Sequence, residues 1–316
     1  MGAYNRSLVK HVLSARQFKK NELAVLFKRT EDMHRAVHQP KERQKMLDAH
    51  RGRTIATLFY EPSTRTRLSF ETAAQRLGVS IISTEHAGVS SSAKKGESLE
   101  DTIRVVSSYC DAIVLRHPEL EAAHRAAKVS SVPIINAGDG GGEHPTQALL
   151  DIYTAQKEKK KLDGLAIGLA GDLKHSRVIH SFLDIMSLYN VDFYLIAPKL
   201  MQLPKSYRDF LRERGRTFNF REKLADALDK VDLLYISRIQ AERHADKKAL
   251  KTLGGGMTLT TQLMRRAKKD AVILDALPRV NEIDEAVDSD PRAAYFRQAE
   301  NGLYVRMALL DSVLQY

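Results

Sequence analysis

The sequence predicts an α/β chain of two domains, each a parallel sheet flanked by helices. Three observations carry this expectation. The chain has 316 residues, and at roughly 150 residues per domain that length suggests about two. Short apolar runs rich in Ile, Val and Leu alternate with longer amphipathic stretches, which is the pattern of buried strands separated by helices. Strands alternating with helices imply βαβ units and parallel pairing.

The elements follow in order. Thr54–Tyr60, Val79–Ser83, Asp111–Leu115 and Pro133–Asn136 read as short buried strands of a first domain. Between the first two, Phe70, Ala73, Ala74 and Leu77 fall at i, i+3, i+4 and i+7, one face of a helix, and Gly78 stops it. Leu165–Ala170, Val191–Ile196, Val231–Ile236 and Ala271–Leu274 repeat the style in a second domain. Lys157–Gly164 is charged and ends in glycine, so a boundary fits near residues 145–160. The domains are expected at 1–146 with 302–316, and at 147–301. Ligands of open α/β sheets bind beyond the carboxyl ends of strands, so chemistry is sought there.

Composition sets the outer limits. The chain is 43% apolar and 28% charged, which suits a folded soluble protein. No apolar run approaches the ~18 residues of a membrane-spanning helix. Arg6, Lys10, Arg16, Lys19 and Lys20 interrupt the N-terminal region, so a secretory signal is not expected. Arg6 also stands where myristoylation wants Ser or Thr. Cys110 is the single cysteine. It excludes an internal disulfide framework and suits a reducing, cytoplasmic setting. The net charge is +11, with a pI near 9.6, which raises nucleic acid as a partner. Yet residues 1–150 carry 22 basic and 16 acidic side chains, and residues 151–316 carry 28 and 23. The excess is spread rather than gathered into an arm, so neither nucleic acid nor membrane is expected as a partner.

The densest chemistry lies in Phe59-Tyr60-Glu61-Pro62-Ser63-Thr64-Arg65-Thr66-Arg67. It follows a strand and opens a helix. Unpaired N–H groups and the helix dipole favour an anion at such a start. The hydroxyls of Ser63, Thr64 and Thr66 add donors, and Arg65 adds a planar fork suited to phosphate oxygens. The alternative is an ordinary capped helix with exposed arginines. A second segment, Asn136 to Gln147, holds Gly140-Gly141-Gly142 followed by His144-Pro145-Thr146-Gln147. Three glycines in a row mark a loop that lets backbone approach something closely. Ser90 to Glu97 forms a polar loop bearing Ser91 and Lys95, and Arg116 ends a strand. In the second half Arg177 and the pair Arg238 and Gln240 also follow strands. Cationic or amide side chains thus recur at strand ends in both halves, which reads as a pocket for small, multiply anionic ligands. No P-loop, dinucleotide fingerprint or nucleophile elbow is present, and no His/Cys/Asp spacing suggests a metal.

Together these segments resemble the catalytic chains of aspartate carbamoyltransferases, within the aspartate/ornithine carbamoyltransferase superfamily. The Ser63-Thr64-Arg65-Thr66-Arg67 run and His144-Pro145-Thr146-Gln147 carry the resemblance, which extends to the tail from Val280 to Gln298. It implies carbamoyl transfer from carbamoyl phosphate to L-aspartate by direct attack of the α-amine, through a tetrahedral oxyanion and without a cofactor. It also implies a homotrimer with active sites between neighbouring subunits, and a last helix, about Gly302–Gln315, packed back on the first domain. Regulatory subunits or other pathway enzymes are partners that the sequence leaves open.

Site roles follow from the same resemblance. Ser63, Thr64, Arg65 and Thr66 are the implied carbamoyl phosphate site. Thr66, Arg116 and His144 would donate to the carbonyl oxygen, and Gln147 would hold the carbamoyl amino group. Ser91 and Lys95 would reach into the adjacent subunit's site. Arg177, Arg238 and Gln240, with Lys95, would grip aspartate. Leu277 and Pro278 would offer backbone carbonyls to the carbamoyl group. The segments typical of ornithine enzymes are absent, and Arg177 and Arg238 suit a dicarboxylate. One departure stands out: Asp275-Ala276 occupies the place of the family's His-Pro. Loss of that proline would free the turn, and a carboxylate there would oppose anionic substrates. A tolerated variation, a weakened or non-catalytic homologue serving in assembly, and a carbamoyltransferase for another amino acid are the competing expectations. Gly254-Gly255-Gly256 is either a loop that reorients on binding or a plain connector.

Overall fold

The computed structural model describes residues 10–87, 96–240, 243 and 256–315. The chain forms two compact units, Met1–Leu149 with Asn301–Tyr316, and Leu150–Glu300.

The first unit opens with helices α1 (Lys20–His38) and α2 (Pro40–Ala49). Its sheet contains β1 (Thr54–Phe59), β2 (Ser80–Glu85), β3 (Ala112–His117) and β4 (Ile134–Asp139). All pairings are parallel, in the order β2-β1-β3-β4. Helix α3 (Thr64–Arg76) follows β1, α4 (Leu99–Val106) precedes β3, and α5 (Ala122–Val129) lies between β3 and β4. The interior strands are nearly continuous apolar runs because both faces are covered. β2 is partly exposed along its length, which corrects the buried strand expected at Val79–Ser83, because it lies at the sheet edge. Phe70, Ala73, Ala74 and Leu77 are buried, so the period read in the sequence is the packed face of α3.

The second unit holds β5 (Ala166–Gly171), β6 (Asp192–Ile196), β7 (Thr217–Arg221), β8 (Leu233–Ser237) and β9 (Val272–Asp275). Their order is β7-β6-β5-β8-β9, again all parallel. Helices α6 (Pro145–Lys159), α7 (Arg177–Met186), α8 (Lys205–Glu213) and the short α9 (Thr261–Met264) accompany it. Its core gathers Leu224, Leu228, Val231, Ile236, Met264 and Ile273. Strand β7 is a correction to the sequence reading, which left Thr217–Arg221 unassigned.

Helix α10 (Tyr295–Val313) closes the chain and begins earlier than the expected Gly302. Its later turns pack on the first unit, as the resemblance implied. Arg306 lies over the Phe70 ring at 5.2 Å, and His34 meets Tyr304 edge-on at 4.6 Å. Asp311 receives Arg29 Nε at 3.2 Å and pairs with His50 Nε2 at 2.8 Å. Arg29 is 4% exposed, so its charge depends on that carboxylate. Asp311→Ala is expected to cost about 3 kcal/mol, the usual result of removing one partner of a buried pair. Urea unfolding of the full chain measures it, and an unchanged midpoint would refute the anchoring role. Among the described residues no helix is long and apolar enough to cross a membrane. Cys110 is half-buried against the core of the first unit, and burial pushes its thiol up to about 11, which makes it a poor nucleophile.

Candidate active site

Each sheet has one topological switch point, where chain progression reverses direction across the sheet. In the first unit it falls between β1 and β3, and in the second between β5 and β8. Ligands of such sheets bind outside the carboxyl ends of the strands at that place.

The first switch point holds Ser63, Thr64, Arg65, Thr66 and Arg116, part of the set expected from the sequence for carbamoyl phosphate. Phe59 and Arg116 are register partners at the ends of β1 and β3, and Tyr60 N–H donates to Arg116 O at 2.9 Å. Ser63 is the N-cap of α3 but makes no side-chain cap bond. Thr64 and Arg65 are exposed on the first turn, and Thr66 is buried. Arg67, the second arginine of the run, is a brace: its Nη2 is 2.9 Å from Glu85 Oε2. Arg116 is half-buried, donates Nη1 to Ala137 O at 3.1 Å and lies 3.6 Å from Glu61.

His144 and Gln147 lie where the loop after β4 runs into α6. His144 is 5% exposed, and its carbonyl accepts from Gln147 N–H at 3.0 Å. The close backbone approach expected of the glycines is at Gly140. A Cβ there would sit 2.5 Å from Pro118 O, so the loop lies flat on the segment after β3. Sequence reasoning missed what holds the loop. Glu143 accepts Ser14 Oγ at 2.8 Å and Ala15 N–H at 2.7 Å. Asp139 Oδ1 accepts Glu143 N–H at 3.0 Å. The neighbouring His117 accepts Glu119 N–H on Nδ1 at 3.1 Å, and burial lowers its pKa.

The second switch point brings together Arg177, Arg238 and Gln240. Arg177 opens α7 after the loop that leaves β5, and Arg238 and Gln240 follow β8. Asp172, fully buried, ties these loops together and was not singled out from the sequence. Its Oδ1 accepts His175 N–H at 3.1 Å, and its Oδ2 accepts Gln240 N–H at 3.2 Å. Gln240 Nε2 donates to His175 O at 3.1 Å, so its amide already braces the same loop. Ser237 Oγ donates to Ser176 Oγ at 2.7 Å. Leu277 and Pro278 follow β9, the strand beside β8, with a cis bond between them. Ser91 and Lys95 lie outside the described residues, as do Gly254 and Gly255. Among the described residues no group of three or more His, Cys, Asp or Glu is placed to hold a metal ion.

His180, on the helix that Arg177 opens, gives this loop a pH dependence. It stacks on Tyr207 at 4.2 Å, and its Nε2 lies 2.9 Å from Leu173 O. Burial lowers its pKa from the usual 6.5, against smaller raising contributions from Leu173 and Asp172, and the neighbouring His175 lowers it further. The folded state therefore keeps the ring neutral while the unfolded chain takes up a proton. Its stabilising contribution is present above about pH 6.5 and is lost as pH falls toward the folded value. Unfolding midpoints at pH 7.5, 6.5 and 5.5 should fall with pH, and His180→Phe should flatten part of that slope. An unaltered slope would refute the assignment.

Residues 10–157 match the family aspartate/ornithine carbamoyltransferase, carbamoyl-P binding domain, and residues 163–313 match its Asp/Orn binding domain. The chain is 46% identical over 303 residues to the aspartate carbamoyltransferase catalytic subunit of Thermococcus kodakarensis, covering 96% of each. It is also 46% identical to a stretch of the multifunctional protein CAD of Squalus acanthias, with 96% of this chain matching 13% of that one. Among solved structures, the catalytic subunit of M. jannaschii aspartate transcarbamoylase superposes with a TM-score of 0.89 at 42% identity, covering 96% of this chain and 98% of that one. The Trypanosoma cruzi aspartate transcarbamoylase, in complex with aspartate and phosphate, gives 0.88 at 37%, covering 98% and 97%. With both of its units matched in order, the chain belongs to the aspartate/ornithine carbamoyltransferase family.

Proposed function

We propose that the chain transfers the carbamoyl group of carbamoyl phosphate to the α-amine of L-aspartate, releasing N-carbamoyl-L-aspartate and phosphate, in pyrimidine biosynthesis. The observation that carries this reading is the grouping of anion-suited side chains at the switch point of each sheet, in a chain whose units match a carbamoyl-P domain and an Asp/Orn domain. In this reading the first unit binds carbamoyl phosphate and the second binds aspartate.

The chemistry needs no covalent intermediate. The α3 start and Arg65 take the phosphate, which leaves as the amine attacks. Thr66, Arg116 and His144 donate to the oxyanion that develops on the carbonyl oxygen. Donors already fixed where charge develops are usually a large catalytic contribution. Gln147 and the carbonyls of Leu277 and Pro278 hold the carbamoyl amino group. Arg177 and Arg238 grip the two carboxylates of aspartate, with Gln240 bracing their loop, and holding both substrates in register adds more. Two guanidinium groups at the second switch point favour a dicarboxylate over a cationic amino acid. We infer further a cytoplasmic homotrimer in which Ser91 and Lys95 of each subunit complete a neighbour's site. The test is formation of N-carbamoyl-aspartate from carbamoyl phosphate with aspartate, and with ornithine as comparison. Product with ornithine alone would overturn the substrate assignment.

A further inference from the structure

The geometry points to Asp275 as a positioning residue that replaces a proline constraint with a hydrogen bond. This inference rests on the proposed carbamoyl transfer, in which the carbonyls of Leu277 and Pro278 touch the substrate. Asp275 is the last residue of β9 and is 4% exposed. Its Oδ1 accepts the N–H of Leu277 at 2.5 Å, the pattern of a side chain mimicking a backbone turn. Leu277 sits at φ +54, a left-handed conformation that leucine rarely adopts without support. The bond from Leu277 N–H to Asp275 supplies such support. Proline has no N–H to add another.

The backbone of Asp275 is held from behind. Asp275 N–H donates to Gln298 Oε1 at 3.0 Å. Gln298 Nε2 donates to Asp151 Oδ1 at 2.6 Å, and Tyr235 OH donates to Asp151 Oδ2 at 2.7 Å. Gln298, Asp151 and Tyr235 are at most 1% exposed. A buried chain therefore runs from β8 through α6 and α10 to the turn. Beyond the turn, Arg279 pairs with Asp288 through both of its terminal nitrogens and lies 5.5 and 5.7 Å from the Tyr295 and Phe296 rings. The Leu277–Pro278 segment is pinned on both sides. The turn that loss of the family's proline was expected to free is instead tied by the bond to the Asp275 carboxylate.

The experiment compares wild type, Asp275→Ala, Asp275→Asn and the double variant Asp275→His/Ala276→Pro. Asparagine keeps the acceptor oxygen and loses the charge. Asp275→Ala should lower kcat/KM for carbamoyl phosphate about tenfold, mostly through KM, whereas Asp275→Asn should stay within about threefold of wild type. Equal loss in both, or no loss in either, overturns the acceptor role. The double variant should match wild type, and a tenfold gain in it would show that Asp275 does not hold the turn. Amide exchange at Leu277 gives a readout that does not need activity: it should be slow in wild type and Asp275→Asn and faster in Asp275→Ala. Uniform exchange overturns the inference. A wild-type chain that makes no N-carbamoyl-aspartate overturns the proposed function instead, and exchange still decides the role of Asp275.

Discussion

Replacing Arg116 by alanine should lower kcat by about 10²–10³, the usual effect of removing one donor from a developing oxyanion. The loss should fall on kcat more than on either KM, because the bond to the carbonyl oxygen strengthens as charge develops on it. In the proposed role this arginine would act without rearranging. It ends β3 beside β1, its Nη1 is fixed on Ala137 O, and Glu61 lies close to its Nε. A guanidinium has five N–H donors, so it can hold a backbone carbonyl and a substrate oxygen at once. Arg116→Lys should recover little, since an ammonium on a flexible stem lacks the planar fork. Stability should change by only about 1 kcal/mol, the worth of the hydrogen bond to Ala137. Steady-state kinetics with both substrates, alongside unfolding midpoints, separates these outcomes. A loss below threefold in kcat with intact folding would remove Arg116 from the oxyanion role.

What was legible in the sequence was local. Eight strand segments read from apolar runs each have a strand in the structure; the interior strands β1, β3, β5, β6 and β8 are largely apolar because both faces are covered, and the edge strands β4 and β9 are buried as well. Strand β7 escaped because it is an edge strand whose Thr217, Asn219 and Arg221 are polar. Phe218 and Phe220 alternate with them, and arginines cover those aromatics: Arg212 lies 5.0 Å from the Phe218 ring and Arg208 5.9 Å from Phe220. Part of the net +11 thus sits on one half-buried and one exposed ring, where cation–π contact and apolar stems give it a structural use. The helix start from Ser63 to Arg67 was legible because it is written in consecutive residues, although Ser63 makes no side-chain cap bond and Arg67 pairs with Glu85. The supports were not. Glu143 reaches Ser14 across 129 positions, Asp172 joins loops after two different strands, and Gln298 reaches Asp151 across 147. Such pairs depend on strand order, which periodicity does not reveal. The same limit applied to Asp275, whose meaning turned on a bond two residues along and an anchor in α10.

Among the described glycines of the second unit, Gly171→Ala should be the most damaging, costing about 4 kcal/mol or more. Gly171 ends β5 at φ +104, where a side chain is strained whatever the space. An added Cβ would also sit 1.8 Å from Ser237 O, and Ser237 is its register partner on β8. Backbone cannot yield there as a flexible side chain would, so β5 and β8 must part at their carboxyl ends. That is the switch point from which Arg177, Arg238 and Gln240 depart, and where Ser237 is bonded to Ser176. The substitution should therefore raise KM for aspartate more than KM for carbamoyl phosphate in whatever fraction stays folded. Gly164→Ala provides the comparison. Its φ is also positive, at +88, but nothing lies within 4 Å of the added Cβ, so only the backbone penalty of roughly 1–2 kcal/mol applies. Urea unfolding of the two variants measures the difference directly. Equal losses would mean that conformation alone accounts for Gly171, and a clear excess at Gly171 would show that the close approach of β5 to β8 is what reserves the position for glycine.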